Sequence, residues 1–294
     1  MGEVKVQEGW EGRASRPTLR SRTIRRFRRN ASGIIGLALL ILLVAMAVLS
    51  PVISGDPLAQ DILNKLQSPS SQHFLGTDQL GRDVWARVVH GAAISLRIGF
   101  LVVLLSVVIG VIVGLTAGSL GRVWDNVLMR ITDIFFAFPS LILAMAIAAA
   151  LGRDLNNTIL AVAAVTWPVY ARLVRAQALA LREREFVEAA RALGTSTPRI
   201  LWRHILPNTW TPVLVQASFD VGGAILTAAG LSFIGFGAQP PTPEWGAMVS
   251  ETRDYIREAP WAASAPAIGI MLTVLAFNLL GDALRDVLDP RGRD

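Results

Sequence analysis

The sequence predicts an all-α integral membrane protein with six transmembrane helices. Hydrophobic residues make up 52% of the 294-residue chain and charged residues only 17%, against about a quarter charged in soluble domains. Mean hydropathy is +0.48. Apolar runs near 20 residues recur along the chain, each long enough to cross about 30 Å of hydrocarbon as a helix. Disorder, collagen-like repeats and a disulfide scaffold are excluded by this composition. Cys is absent, which removes thiol chemistry and Cys-based metal sites.

Residues 1–32 form a basic tail. It holds nine basic residues against three acidic ones, and the rest of the chain is balanced. A pI near 10.8 invites a nucleic-acid reading, but no folded basic domain follows the tail. An Arg-rich segment directly before an apolar run is what holds an N-terminus in the cytoplasm, and it also suits anionic lipid. The apolar run, 33–53, exceeds a signal-peptide core and reads as a retained first span.

Five further spans are expected at 95–118, 132–151, 157–177, 211–236 and 263–284. Residues 54–94 then form an external loop, 95–284 a five-helix core, and 285–294 a C-terminal tail. With the basic tail inside, the loops alternate and both termini are cytoplasmic. The predicted inside segments carry 21 basic residues and the outside segments seven, which supports that orientation.

Within the second span, Gly110, Gly114 and Gly118 share one helical face, where small residues let backbones approach closely in lipid; Ala161 and Ala164 on the fourth span suit the same use. The ordinary reading is packing within the chain. Asp133, Arg172, Arg175 and Asp282 fall near cytoplasmic helix ends. Asp220 lies deeper, in the fifth span, and must face the bundle interior or water. It reads either as a residue of a translocation path or gate, or as a hydrogen-bonded contact between helices.

The longest cytoplasmic connection, 178–210, carries the most information. Phe186, Ala189, Ala190 and Leu193 recur at helical spacing as one apolar stripe. Gly194 supplies the left-handed residue that ends a helix. Thr197 before Pro198 reads as an N-cap with proline at the first helical position, and Pro207 closes a second short helix. A helix–turn–helix at the membrane face is expected. Its paired alanines suit a protein groove better than insertion among lipid headgroups.

This loop resembles the EAA motif of ATP-binding cassette importer permeases: Glu188-Ala189-Ala190, then Gly194 four residues on, then Ile205-Leu206-Pro207. Three further segments are similar to the peptide/nickel branch of that family, on its C-type permease subunit. They are His73-Phe74-Leu75-Gly76-Thr77-Asp78 with Leu80-Gly81-Arg82-Asp83, the run Gly237 to Gly246, and Phe277 to Asp286 continuing to Asp289-Pro290. The resemblance implies a type I importer permease bundle in a bacterial cytoplasmic (inner) membrane. It implies that Phe186, Glu188, Ala189, Ala190, Leu193, Gly194, Ile205, Leu206 and Pro207 couple the chain to an ATPase. The partners it implies are two ATPase subunits that bind ATP and Mg, a second homologous permease, and an extracytoplasmic binding protein that delivers di- or oligopeptides. Nickel, glutathione or another small solute are alternative cargoes.

Residue chemistry qualifies this picture. Thr77, Asp78 and Asp83 make a poor cation site and a good set of caps and turns. Pro240 and Pro241, with Pro243, favour polyproline II, a rigid external element. Trp245 and Trp261 suit the membrane interface or a docked binding protein. His73, His90 and His204 are scattered, so no histidine metal site is expected. There is no GxxxxGK[ST] phosphate loop and no Ser/His/Asp arrangement, so neither ATP binding nor catalysis is expected of this chain. An ion-coupled secondary transporter, the reading from another class, would need more midplane ionisable groups than Asp220.

Overall fold

The computed structural model describes residues 27–28 and 30–288. Most of the basic tail and the Asp289-Pro290 segment lie outside the described residues. The described chain is helical, with one isolated antiparallel bridge, Thr77 to Asp83. Among the described residues five helices are long and apolar enough to cross a membrane, and six segments are if one pair bent by 93° counts as a single broken span.

Helix α1 spans Ala31–Ile53 and is capped by Asn30, whose Oδ1 accepts from Gly33 N at 2.9 Å. Helix α2 spans Val84–Ser119 and is capped by Asp83, which accepts from Ala86 N at 2.8 Å. It starts well ahead of the expected 95, and the external connection is correspondingly shorter. Arg87, His90 and Arg97 break the hydropathy there, but the helix accommodates Arg87 by burying it in ion pairs described below.

The span expected at 132–151 is not one straight helix. Helix α3 (Arg122–Phe136) and helix α4 (Ser140–Leu151) meet at 93°. Pro139 lacks an N–H and disfavours helical geometry at Phe138, so the chain turns there. Helix α5 (Leu155–Arg182) follows from an Asp154 cap. Helix α6 (Glu185–Ala192) is short.

Past Gly194, a turn of helix α7 (Thr197–Ile200) leads through a π-turn at Leu201–Ile205 into helix α8 (Leu206–Ile234). These run as one 38-residue helix, so Pro207 does not close a second short helix. The wide turn, in which Leu206 N–H reaches Leu201 O, carries the helix past a proline that cannot donate. Thr197 is the first helical residue rather than the cap; Ser196 precedes it and makes no side-chain capping bond. Helix α9 (Trp245–Thr252) and helix α10 (Pro260–Leu288) complete the fold.

Two packed clusters organise the bundle. One joins α2, α5 and α8 through Ile98, Val102, Tyr170, Val174 and Ile225. The other joins α1, α2, α9 and α10 through Leu43, Val84, Val88, Trp245 and Ala276. The glycine stripe forms a seam inside the chain. Gly110 lies against Tyr170, Gly114 against Ala171 and Val174, and Gly118 against Ala178, so α2 and α5 run parallel in contact. A Cβ at Gly114 would fall 2.5 Å from the Ala171 carbonyl oxygen. In lipid such close dispersion contact, rather than escape from water, is what holds helices together.

Candidate functional site

At one end of the bundle, α6 projects from the end of α5. Gly194, at φ +79°, ends it in the left-handed conformation. Thr195 N donates to Ala190 O at 3.1 Å and Gly194 N to Arg191 O at 3.0 Å, the paired bonds of a Schellman cap. The stripe expected from spacing is divided by the packing. Val187, fully buried, and Ala190 anchor α6 to the bundle, while Phe186 (44% exposed), Ala189 and Leu193 (86% exposed) face outward. Glu188 is exposed as well.

Ile205 and Leu206 are buried and hold the elbow of the α7–α8 helix; Pro207 is exposed. Trp202, 71% exposed, extends the outward apolar surface, and His204 lies 6.3 Å from the Phe186 ring centre to centre. Sequence reading missed both Val187 and Trp202. A bulky indole between Leu201 and Arg203 was the available signal.

The base of this projection is tied down by two ion pairs from α5 to α3. Arg175 grips Asp125 through both Nε and a terminal nitrogen. Arg172 reaches Asp133 at 2.7 Å and lies 3.9 Å above the Phe136 ring.

The opposite end holds a buried ionic cluster. Asp78 Oδ1 accepts from Leu80 N and Arg82 N, and Oδ2 accepts from Arg82 Nε at 2.7 Å and an Arg87 terminal nitrogen at 2.5 Å. Glu251 accepts from Arg82 at 2.5 Å and from Arg87 at 3.1 Å. Asp78, Arg82 and Arg87 are each 1% exposed. The cluster clamps the 54–83 connection and the start of α2 to the end of α9. Thr77 and Asp83 make local turn and cap bonds, with His73 Nδ1 2.8 Å from Asp83. Among the described residues no group of three or more His, Asp or Glu is placed to hold a metal.

Trp245 corrects an expectation. It is fully buried, its Nε1 donating to Val88 O at 3.0 Å, so it touches neither the membrane interface nor a docked protein. Pro240 and Pro241 are exposed, but they sit in a turn closed by Thr242 N to Gln239 O at 3.1 Å, not in polyproline II. Glu244 caps α9 through Gly246 N and Ala247 N, both at 2.9 Å. Burial pushes its carboxyl upward, and those two N–H groups pull it back.

Between α8, α9 and α10 lies an open apolar cavity of about 620 Å³, lined by Leu226, Gly230, Phe233, Val249, Met271 and Val274 among others. Asp220 is not among its lining residues. Its Oδ1 accepts from Gln216 Nε2 at 3.0 Å. The buried Tyr170 of α5 is its other neighbour, yet neither the Tyr170 hydroxyl nor Asp220 Oδ2 reaches hydrogen-bond geometry.

Comparison with known proteins agrees with this architecture. Residues 106–294 match the binding-protein-dependent transport system inner membrane component family, and residues 18–69 match the N-terminal transmembrane domain of oligopeptide transport permease C. The dipeptide transport system permease protein DppC of Alkalihalophilus pseudofirmus is 45% identical over 91% of this chain and 88% of its own length. A putative peptide transport system permease protein of Brucella abortus is 47% identical over 92% and 91%. The glutathione transport system permease protein GsiD of Escherichia coli is 47% identical over 91% and 89%. The MetNI methionine ABC transporter, in an inward-facing conformation, shares the fold at TM-score 0.55 and 22% identity, over 68% of this chain and 96% of that one.

Proposed function

The chain belongs to the family of binding-protein-dependent transport system inner membrane components, and from that premise we propose that it is the permease subunit of an ATP-driven peptide importer. The carrying observation is the outward face of α6. Phe186, Ala189, Leu193 and the neighbouring Trp202 form an apolar surface on a helix fixed at both ends, by Val187 and by the Gly194 cap. In this reading the face seats in a groove of an ATPase subunit, and Glu188 borders the contact. Two such subunits bind ATP and Mg, one beneath this chain and one beneath a second homologous permease. The α6 end is then cytoplasmic, in a bacterial inner membrane.

Closure of the ATPase pair pushes α6. The push passes into α5 and α2 and alternates the bundle between inward- and outward-facing states. The cavity between α8, α9 and α10 faces the second permease and contributes to the path. An extracytoplasmic binding protein delivers the peptide at the opposite end, where Pro240 and Pro241 are exposed. Asp220, bonded to Gln216 of its own helix and set beside Tyr170 of α5, stays inside the bundle rather than contacting cargo. Dipeptide and peptide permeases among the relatives favour peptide; GsiD makes glutathione, itself a peptide, the second cargo.

Purifying the tagged chain from its host in gentle detergent, with mass spectrometry of what accompanies it, tests the assembly. Recovery with ATPase subunits and another permease is expected, and Phe186→Asp with Leu193→Asp should release the ATPase alone. A homo-oligomer without any ATPase would sink the importer reading and favour ion-coupled transport.

A further inference from the structure

Beside α6, where the ends of α2 and α5 meet α7, lies a polar cavity of about 210 Å³ lined by Ser119, Arg182, Arg191 and Thr197 over a floor of Ile200 and Leu201. No carboxylate lines it, and neither arginine pairs with one among the described residues. Arg182 donates one terminal N–H to Gly118 O at 3.1 Å. That bond holds the guanidinium over the carbonyl end of α2, where uncompensated oxygens would repel an anion. The remaining guanidinium donors are left for another acceptor. The Ser119 hydroxyl is buried there without any hydrogen-bond partner, and a buried unpaired hydroxyl in a native protein calls for a reason.

The Arg182 guanidinium held by the Gly118 carbonyl, the exposed Arg191 guanidinium and two hydroxyls converge on one cavity with no negative group lining it, and so many donors suit the several oxygens of a tetrahedral oxyanion. We propose that this corner is a phosphate-binding site that couples the seating of α6 to an anion. The shared chemistry is a phosphate group, carried either by a phospholipid headgroup of the adjoining leaflet or by free inorganic phosphate. The bound anion would join the end of α2, the end of α5 and α6 through one ligand, fixing the angle at which α6 projects.

The full chain in mild detergent can be titrated separately with short-chain phosphatidylglycerol and with inorganic phosphate, read by native mass spectrometry and by thermal stability. Retention of the lipid but not of phosphate assigns the headgroup; retention of phosphate assigns the free ion. Arg191→Gln removes an exposed side chain of α6 and leaves the Arg182 to Gly118 bond in place, so the fold should persist while affinity drops at least about tenfold. Ser119→Ala should weaken retention in the same direction. No adduct with either probe, or equal retention by Arg191→Gln, overturns the proposal and leaves the cavity to an acidic side chain of a partner protein.

Discussion

Replacing Asp78 by Asn tests whether the buried ionic cluster is the clamp of the far end. The amide oxygen can keep the two backbone bonds from Leu80 and Arg82. The amide nitrogen, however, would then face the two guanidinium donors that Oδ2 now accepts. Two charge-assisted bonds vanish, each worth about 1.5–3 kcal/mol. Two arginines, each 1% exposed, are left with Glu251 as their one carboxylate. Breaking a buried pair from one side costs about 3–5 kcal/mol, which agrees with the bond count. At about 1.6 °C per kcal/mol for 294 residues, the midpoint should fall by roughly 5–8 °C.

Thermal scans of tryptophan fluorescence in mild detergent suit the measurement. Trp261 Nε1 bonds the carbonyl of Thr77, the residue before Asp78. Pairing Asp78→Asn with Arg87→Met restores neutrality, so the double variant should be more stable than the two single losses summed, by about 1 kcal/mol or more. A midpoint for Asp78→Asn within a degree of the parent, or strict additivity in the double variant, refutes the clamp.

Other perturbations have equally definite outcomes. Gly194→Leu places a side chain at φ +79° with open space around it, so it should cost only the about 1–2 kcal/mol of left-handed backbone and leave insertion intact. Peptide uptake by reconstituted importer should nevertheless collapse, and normal uptake would exclude the role assigned to the α6 cap. Gly114→Val drives a branched side chain into the Ala171 carbonyl and Val174, and should destabilise by about 1–3 kcal/mol or more, read as a lowered midpoint. Because burial raises the Glu244 carboxyl, its native form holds a proton that the unfolded chain releases sooner. That contribution is complete below the ordinary carboxylate range and is lost as pH rises through the raised native value. Midpoints of Glu244→Gln should therefore vary less with pH above that range than those of the parent; parallel profiles would count against it.

What the sequence disclosed follows from how local each cause is. Gly194 was legible because a helix-ending glycine is a matter of its own backbone, and the motif around it lies within twenty residues. Asp83 was legible as a cap for the same reason. Arg82 and Arg87 were not, because their partner Glu251 lies more than 160 residues away; without it, both count only as charges of an external loop. Arg87, with His90 and Arg97, also hid the true start of α2. Trp245 looked like an interfacial indole until the fold supplied the Val88 carbonyl as its acceptor. The stripe on α6 was right in spacing but not in every member: spacing cannot say which edge of an apolar face meets the chain itself, and Ala190 turns inward beside Val187 while Phe186, Ala189 and Leu193 face out. Pro207 misled because one π-turn just before it shifts the hydrogen-bond register.

The glycine seam has a mechanical consequence. Helices separated by side chains can slide on them, whereas α2 and α5 touch almost backbone to backbone over three successive contacts and so behave as one beam. Its α2 half is 36 residues long, about 54 Å at 1.5 Å per residue. One tip of that beam carries α6 and the other begins at Asp83, beside the ionic clamp. A small tilt applied at the first tip therefore arrives at the second as a displacement, with little lost to bending between them.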